Sequence, residues 1–157
     1  MSASLYERIQ AVRERFPEGA RSATIPALRL AQEQYGWLPP EAIREVADGL
    51  GLTPAYCHAV ASFYDMFHLE PVGKHMVEVC TNLSCALVGA QRVVDAFEET
   101  LGIHAGETTE DGEITFRAVE CLGGCGYAPV VTVDNRYRQH VSPEDAAAIV
   151  EELRATA

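Results

Sequence analysis

Basic side chains are scarce: 12 Lys and Arg stand against 23 Asp and Glu, a formal net charge of −11. Such a surface repels phosphate backbones, which argues against nucleic acid and anionic membranes as partners. Long apolar runs are missing too. No stretch approaches the roughly 20 residues that span a bilayer. The opening MSASLYERIQ has neither the apolar core of a secretory signal nor the Arg-rich character of a transit peptide. The expectation is a cytoplasmic protein with no direct membrane insertion. In a reducing compartment, close cysteine pairs are more often metal ligands or redox groups than structural disulfides.

Several chemical motifs are also lacking. There is no Gly-x-Gly-x-x-Gly or Walker-type loop, so the chain is not expected to bind NADH or another nucleotide by itself. No Ser/His/Asp or Cys/His arrangement suggests nucleophilic catalysis, so a complete active site is not expected. A dithiol oxidoreductase wants Cys-x2-Cys at a helix start, and no such pair occurs. His75, His104 and His140 are not spaced as the histidine ligands of a Rieske site.

The chain does have enough apolar content, 48%, to pack a core. Its periodicity changes near residue 73. Helical stripes run over residues 4–16, 24–35, 40–50 and 53–64. Pro26 falls in a first turn and Thr53-Pro54 forms an N-cap with proline at N1. Residues 1–73 therefore read as a small helical bundle. Beyond Gly73 the pattern is strand (75–79, ending at Cys80), helix (86–101), strands at 114–120, 130–133 and 136–141, and a last helix to about Arg154. Asp134-Asn135 forms a turn, and Ser142 with Asp145 caps the last helix. Residues 74–157 thus suit a thioredoxin-like layer, and the fold class is α+β: a helical bundle followed by a thioredoxin-like α/β domain. The charge divides unequally: residues 1–73 carry 6 basic and 9 acidic side chains, and residues 74–157 carry 6 and 14. The acidic half is either a solvated surface or a docking face for a basic partner.

Four of the five cysteines form two close pairs, Cys80-x4-Cys85 and Cys121-x3-Cys125, separated by 35 residues. Each pair begins where a strand pattern stops and a small-residue loop starts. Two such loops at the ends of neighbouring strands can bring four thiolates to one point. Gly123, Gly124 and Gly126 let the backbone approach and aim N–H groups at sulfur, and Thr81, Asn82 and Ser84 offer more donors. A [2Fe–2S] cluster and a structural zinc ion are both readings of this set. Cys57 reads as a small buried hydrophobe outside the site. Trp37, Tyr64 and Phe67 read as core residues or partner anchors, and His58 and His68 as structural or surface residues.

The motifs Val79-Cys80-Thr81-Asn82-Leu83-Ser84-Cys85 and Glu120-Cys121-Leu122-Gly123-Gly124-Cys125-Gly126-Tyr127-Ala128-Pro129 resemble those of the small [2Fe–2S] subunit of NADH:quinone oxidoreductase, respiratory complex I. The stretches Pro26-Ala27-Leu28-Arg29-Leu30-Ala31-Gln32-Glu33-Gln34-Tyr35-Gly36-Trp37-Leu38-Pro39 and Ala61-Ser62-Phe63-Tyr64-Asp65-Met66-Phe67 resemble the same family, so the likeness covers nearly the whole chain. It implies a helical domain joined to a thioredoxin-like one, with a [2Fe–2S] cluster on Cys80, Cys85, Cys121 and Cys125. It further implies a flavoprotein partner that binds FMN and NADH, other peripheral-arm subunits, and a place at the inner membrane through the assembled complex. Related subunits occur in NAD-linked hydrogenases and formate dehydrogenases. A zinc-stabilised scaffold module and a free-standing thioredoxin-like ferredoxin are the remaining alternatives.

Overall fold

The computed structural model describes residues 4–155. The chain divides into two compact units, Met1–Pro71 and Val72–Ala157.

The first unit is helical. Helices α1 (Leu5–Glu14), α2 (Thr24–Tyr35), α3 (Pro40–Leu50) and α4 (Pro54–Phe63) are linked by short connections, with a 3-10 turn at Ala20–Ala23. Their starts follow from local chemistry. Ser4 and Glu7 form a reciprocal capping box at α1, and the Thr53 side chain accepts the Tyr56 N–H at α4. Helix α2 ends at Gly36 and α3 at Gly51, both with left-handed backbone. Ile9, Leu28, Val46, Leu50 and Cys57 fill one core. Cys57 is fully buried, in keeping with its reading as a small hydrophobe. The aromatics divide: Phe67 joins this core, Trp37 is half-buried and Tyr64 is exposed. The segment after α4 is tied back by the Gln32 side chain, which donates to Met66 O and accepts the His68 N–H. His58 is exposed.

The second unit holds a four-stranded sheet in the order β2-β1-β3-β4. Strand β1 (His75–Cys80) pairs in parallel with β2 (Ile114–Val119) and antiparallel with β3 (Val131–Val133), which pairs antiparallel with β4 (Arg136–Arg138). The period of two decides the faces. Val77 and Val79 of β1 enter the core with Ile114, Phe116, Val131 and Val133. Glu78, between them, meets Arg117 at 3.5 Å and accepts the Thr132 hydroxyl at 3.0 Å. The core is closed by α6 (Ala90–Leu101) and α7 (Asp145–Ala155), which pack on each other and share it with the strands. The Phe97 and Phe116 rings stack within it, centroids 5.6 Å apart, a contact worth about 0.5–1.5 kcal/mol beyond its buried area.

Sequence and structure differ in several places. The helix expected over residues 86–101 is two helices, α5 (Leu83–Leu87) and α6. Gly89, at φ +97°, breaks them apart, and a side chain there would be strained. The first helix starts three residues early because the Asn82 side chain accepts the Leu83 N–H. The strand expected over 136–141 stops at Arg138. His140 is left-handed at φ +53°, and its N–H and that of Val141 donate instead to Tyr127 O and Pro129 O. The strand expected over 130–133 starts at Val131, after a cis Ala128–Pro129 bond. The turn between β3 and β4 is as expected: Asp134 and Asn135 both have positive φ. The Asp134 carboxylate also accepts the Met76 N–H and meets His75 Nδ1 at 2.8 Å, tying this turn to β1.

Four carboxyl groups of this unit are held below their usual range. The Ala105 N–H and then His104 act on Glu98, and the Thr109 hydroxyl and Glu113 N–H act on Asp111. The Glu144 N–H with Ser142 acts on Glu144, and the Ser142 N–H and hydroxyl act on Asp145. A carboxyl group with a depressed folded-state pKa stabilises the fold above its unfolded value and loses that contribution as pH falls through the folded one. The contribution of these groups to urea midpoints is expected to be flat between about pH 5 and 8 and to fall in acid as they protonate. A midpoint that rises on acidification contradicts this.

Candidate functional site

The site grows from one register. In the parallel pair β1 and β2, Cys80 stands opposite Val119, so both strands end level and both cysteine loops leave from the same edge. The Thr81 N–H donates to Val119 O at 2.9 Å, and the Cys80 N–H to Val130 O at 3.0 Å. These two bonds join the first loop to both neighbouring strands. Cys85 follows on α5, and Cys125 opens a 3-10 turn at Cys125–Tyr127, against which α5 packs. Cys80 and Cys85 are buried in a small apolar cluster with Ala90 and Val130, flanked by Leu122 and Ala128. Cys121 and Cys125 are exposed. The pairs therefore form an inner and an outer half.

All five cysteines are free thiols. Within the site, Cys80 is acted on by Cys85 and Cys121, and Cys85 by Cys80 and Cys125. Burial opposes ionisation of Cys80, but hydrogen bonds from the Asn82 and Leu122 backbone, and from Cys85 and Cys121, outweigh it and hold this thiol below its usual range. Cys85 is pushed up, first by burial and then by its hydrogen bond to Cys80 and the charges of Cys80 and Cys125, against the Val130 backbone. Among the described residues, no group of three or more His, Cys, Asp and Glu side chains stands ready to hold a metal ion. The arrangement is of adjoining thiol pairs, and a two-iron cluster shares its ligands between two metal atoms. Four thiols at one strand edge, with backbone N–H groups aimed at sulfur, fit the donor set of such a cluster.

Of the three glycines expected to aim an N–H at sulfur, Gly123 does so. Gly123 has a φ of +76°, and its N–H donates to Cys121 Sγ at 3.3 Å. Gly124 instead offers its carbonyl to the Tyr127 N–H. A Cβ on Gly124 would lie 3.0 Å from Val130 Cγ2, so a small residue is needed for space. Neither the Thr81 nor the Asn82 side chain is used as expected. The Thr81 hydroxyl donates to Val119 O, and the Asn82 side chain caps α5. It is the Asn82 backbone that serves Cys80. Tyr137, not among the expected site residues, donates its hydroxyl to Leu122 O at 2.5 Å inside the second cysteine loop. Only the turn at Asp134-Asn135, which folds β4 back on β3, hinted at its position.

The surface beside the site is apolar. Leu83 and Leu87 lie one helical turn apart on α5 and are 70% and 78% exposed, and Val88 next to them is 51% exposed.

A family model described as thioredoxin-like [2Fe-2S] ferredoxin matches residues 9–154. The chain belongs to the thioredoxin-like [2Fe-2S] ferredoxin family. It is 41% identical over 152 residues to an E-type NADH-quinone oxidoreductase subunit of Rhizobium meliloti, covering 97% of this chain and 90% of that one. It is 45% identical over 140 residues to NADH-quinone oxidoreductase subunit 2 of Thermus thermophilus, covering 88% and 77%. The resemblance read from the cysteine motifs thus holds over nearly the full chain. Among solved structures, an NAD+-reducing [NiFe]-hydrogenase in the air-oxidised state superposes with a TM-score of 0.72 at 20% identity. That match covers 82% of this chain and 23% of that one, and is a likeness of fold. The α+β class and the thioredoxin-like second unit agree with the family.

The burial pattern makes a prediction for the metal-free chain. Alkylation under native conditions should modify Cys121 and Cys125 first, Cys80 and Cys85 more slowly, and Cys57 only after unfolding. Peptide mapping over time reads this order, and early labelling of Cys57 contradicts it.

Proposed function

We propose that this chain is the electron-transfer subunit of an NADH:quinone oxidoreductase, with Cys80, Cys85, Cys121 and Cys125 as the ligands of one [2Fe–2S] cluster. The observation that carries the reading is the register that ends β1 and β2 level, Cys80 opposite Val119, so that the two cysteine loops leave the sheet side by side. Family membership and the two bacterial relatives support it. In this reading residues 74–157 carry the redox chemistry and residues 1–73 serve assembly.

When bound, such a cluster supplies a one-electron carrier whose potential responds to burial, charge and hydrogen bonds at sulfur. The chain's residues set those conditions. The backbone groups of Asn82, Leu122 and Gly123 stabilise negative charge on Cys80 and Cys121. The apolar packing around Cys80 and Cys85 keeps water from the inner half. An acidic surround, 14 acidic against 6 basic side chains in residues 74–157, disfavours added negative charge and lowers the potential. Exposed Cys121 and Cys125 make the outer half the side open to a donor. The bare apolar rim of Leu83, Leu87 and Val88 beside it suits a protein partner. In this reading the partner is a flavoprotein that holds FMN and NADH, within a peripheral arm attached to the inner membrane. Among the described residues of this chain no helix is long and apolar enough to cross a membrane.

The test is an absorption spectrum of anaerobically purified protein, then EPR after dithionite reduction. The expected result is charge-transfer bands that bleach and a rhombic signal from one unpaired spin per cluster. A colourless, EPR-silent protein with stoichiometric zinc overturns the reading in favour of a scaffold. Co-purification with a flavoprotein and a quinone-reducing membrane arm is the expected sign of the host complex.

A further inference from the structure

The second cysteine loop contains one peptide unit with a partner at each end. The carbonyl of Leu122 and the N–H of Gly123 belong to the same amide plane. The carbonyl accepts from the Tyr137 hydroxyl at 2.5 Å, and the N–H donates to Cys121 Sγ at 3.3 Å. A chain of hydrogen bonds through one amide is cooperative: a donor at the carbonyl polarises the plane and strengthens its N–H as a donor. It also fixes the plane's orientation, which matters here because Gly123 is a left-handed glycine in an exposed loop. Tyr137 is well placed to do both. It stands on β4, which the turn at Asp134-Asn135 folds onto β3, and its ring lies 3.7 Å from the position of a Cβ on Gly124. Its side chain is 56% exposed, so core packing does not account for the contact.

We propose that Tyr137 is a positioning residue that tunes the site: its hydroxyl, acting through the Leu122–Gly123 peptide, strengthens the N–H···S bond to Cys121. This rests on the ligation reading above. Hydrogen bonds to ligand sulfur stabilise the reduced, more negative state, so losing the hydroxyl lowers the reduction potential.

The experiment is a potentiometric titration, followed by EPR, of the cluster-loaded full chain and its Tyr137→Phe variant. The variant is expected to keep its full iron and sulfide content while its one-electron reduction constant falls about threefold, or about 28 mV at 59 mV per tenfold. Tyr127→Phe removes a neighbouring exposed hydroxyl that makes no bond to Leu122, and is expected to leave the potential unchanged. Site-specific 3-fluorotyrosine at position 137, measured below neutral pH, keeps the ring and makes a stronger donor, so the potential is expected to rise. A purely structural role predicts no such rise. An unchanged potential in fully loaded Tyr137→Phe overturns the inference and leaves cysteine ligation standing. If that variant loses its cluster, the fluorotyrosine protein decides, and no upward shift overturns the inference. An unsubstituted chain with no iron–sulfide cluster overturns the ligation reading and this inference with it.

Discussion

The site depends on the parallel pairing of β1 with β2. Because Cys80 stands opposite Val119, two segments far apart in sequence leave the sheet at the same level and side by side. A one-residue slip would turn Val77 and Val79 out of the core and Glu78 into it, so the burial of the valines holds the register. Each fully buried side chain of this kind contributes about 1.5–3 kcal/mol. The apolar core under α6 and α7 is therefore what keeps two cysteine loops adjacent. The chemistry at the edge takes its geometry from packing in the interior.

On that foundation the loops divide the work. The first, from Cys80 to Cys85, is anchored on both sides by strand-end hydrogen bonds and closed by the Asn82 cap. It supplies the buried half. The second, from Cys121 to Cys125, is held by local glycine geometry and by the Tyr137 hydroxyl reaching in from the edge strand. It supplies the exposed half. The two halves thus differ in access: Cys80 and Cys85 are buried, and Cys121 and Cys125 are exposed.

Much of this was legible in the sequence. The cap at Thr53 and the turn at Asp134-Asn135 are local features, and local chemistry decided them. The placement of the cysteine pairs at strand ends was legible because the apolar alternation stops at each, and the burial of Cys57 because it lies in an apolar helical stripe. What escaped was set by contacts between distant segments or by single backbone torsions. Gly89 was read as an interior helix residue because one glycine does not reveal its φ. The strand through 141 was overextended because alternation continues past His140, whose N–H is claimed by Tyr127 O. Asn82 serves Cys80 through its backbone while its side chain caps a helix, a division the sequence does not reveal. Tyr137 was invisible because its importance lies in a hydrogen bond across 15 positions.

The most direct test of the central claim, that two loops held level by one strand pair form a single iron–sulfur site, is iron and acid-labile sulfide analysis of the anaerobically purified chain beside two variants, Cys121→Ser and Cys57→Ser. Equal amounts of iron and sulfide are expected in the unsubstituted chain and in Cys57→Ser, and a marked loss in Cys121→Ser. Zinc without sulfide, or a Cys121→Ser protein that retains its full complement while Cys57→Ser does not, would contradict it.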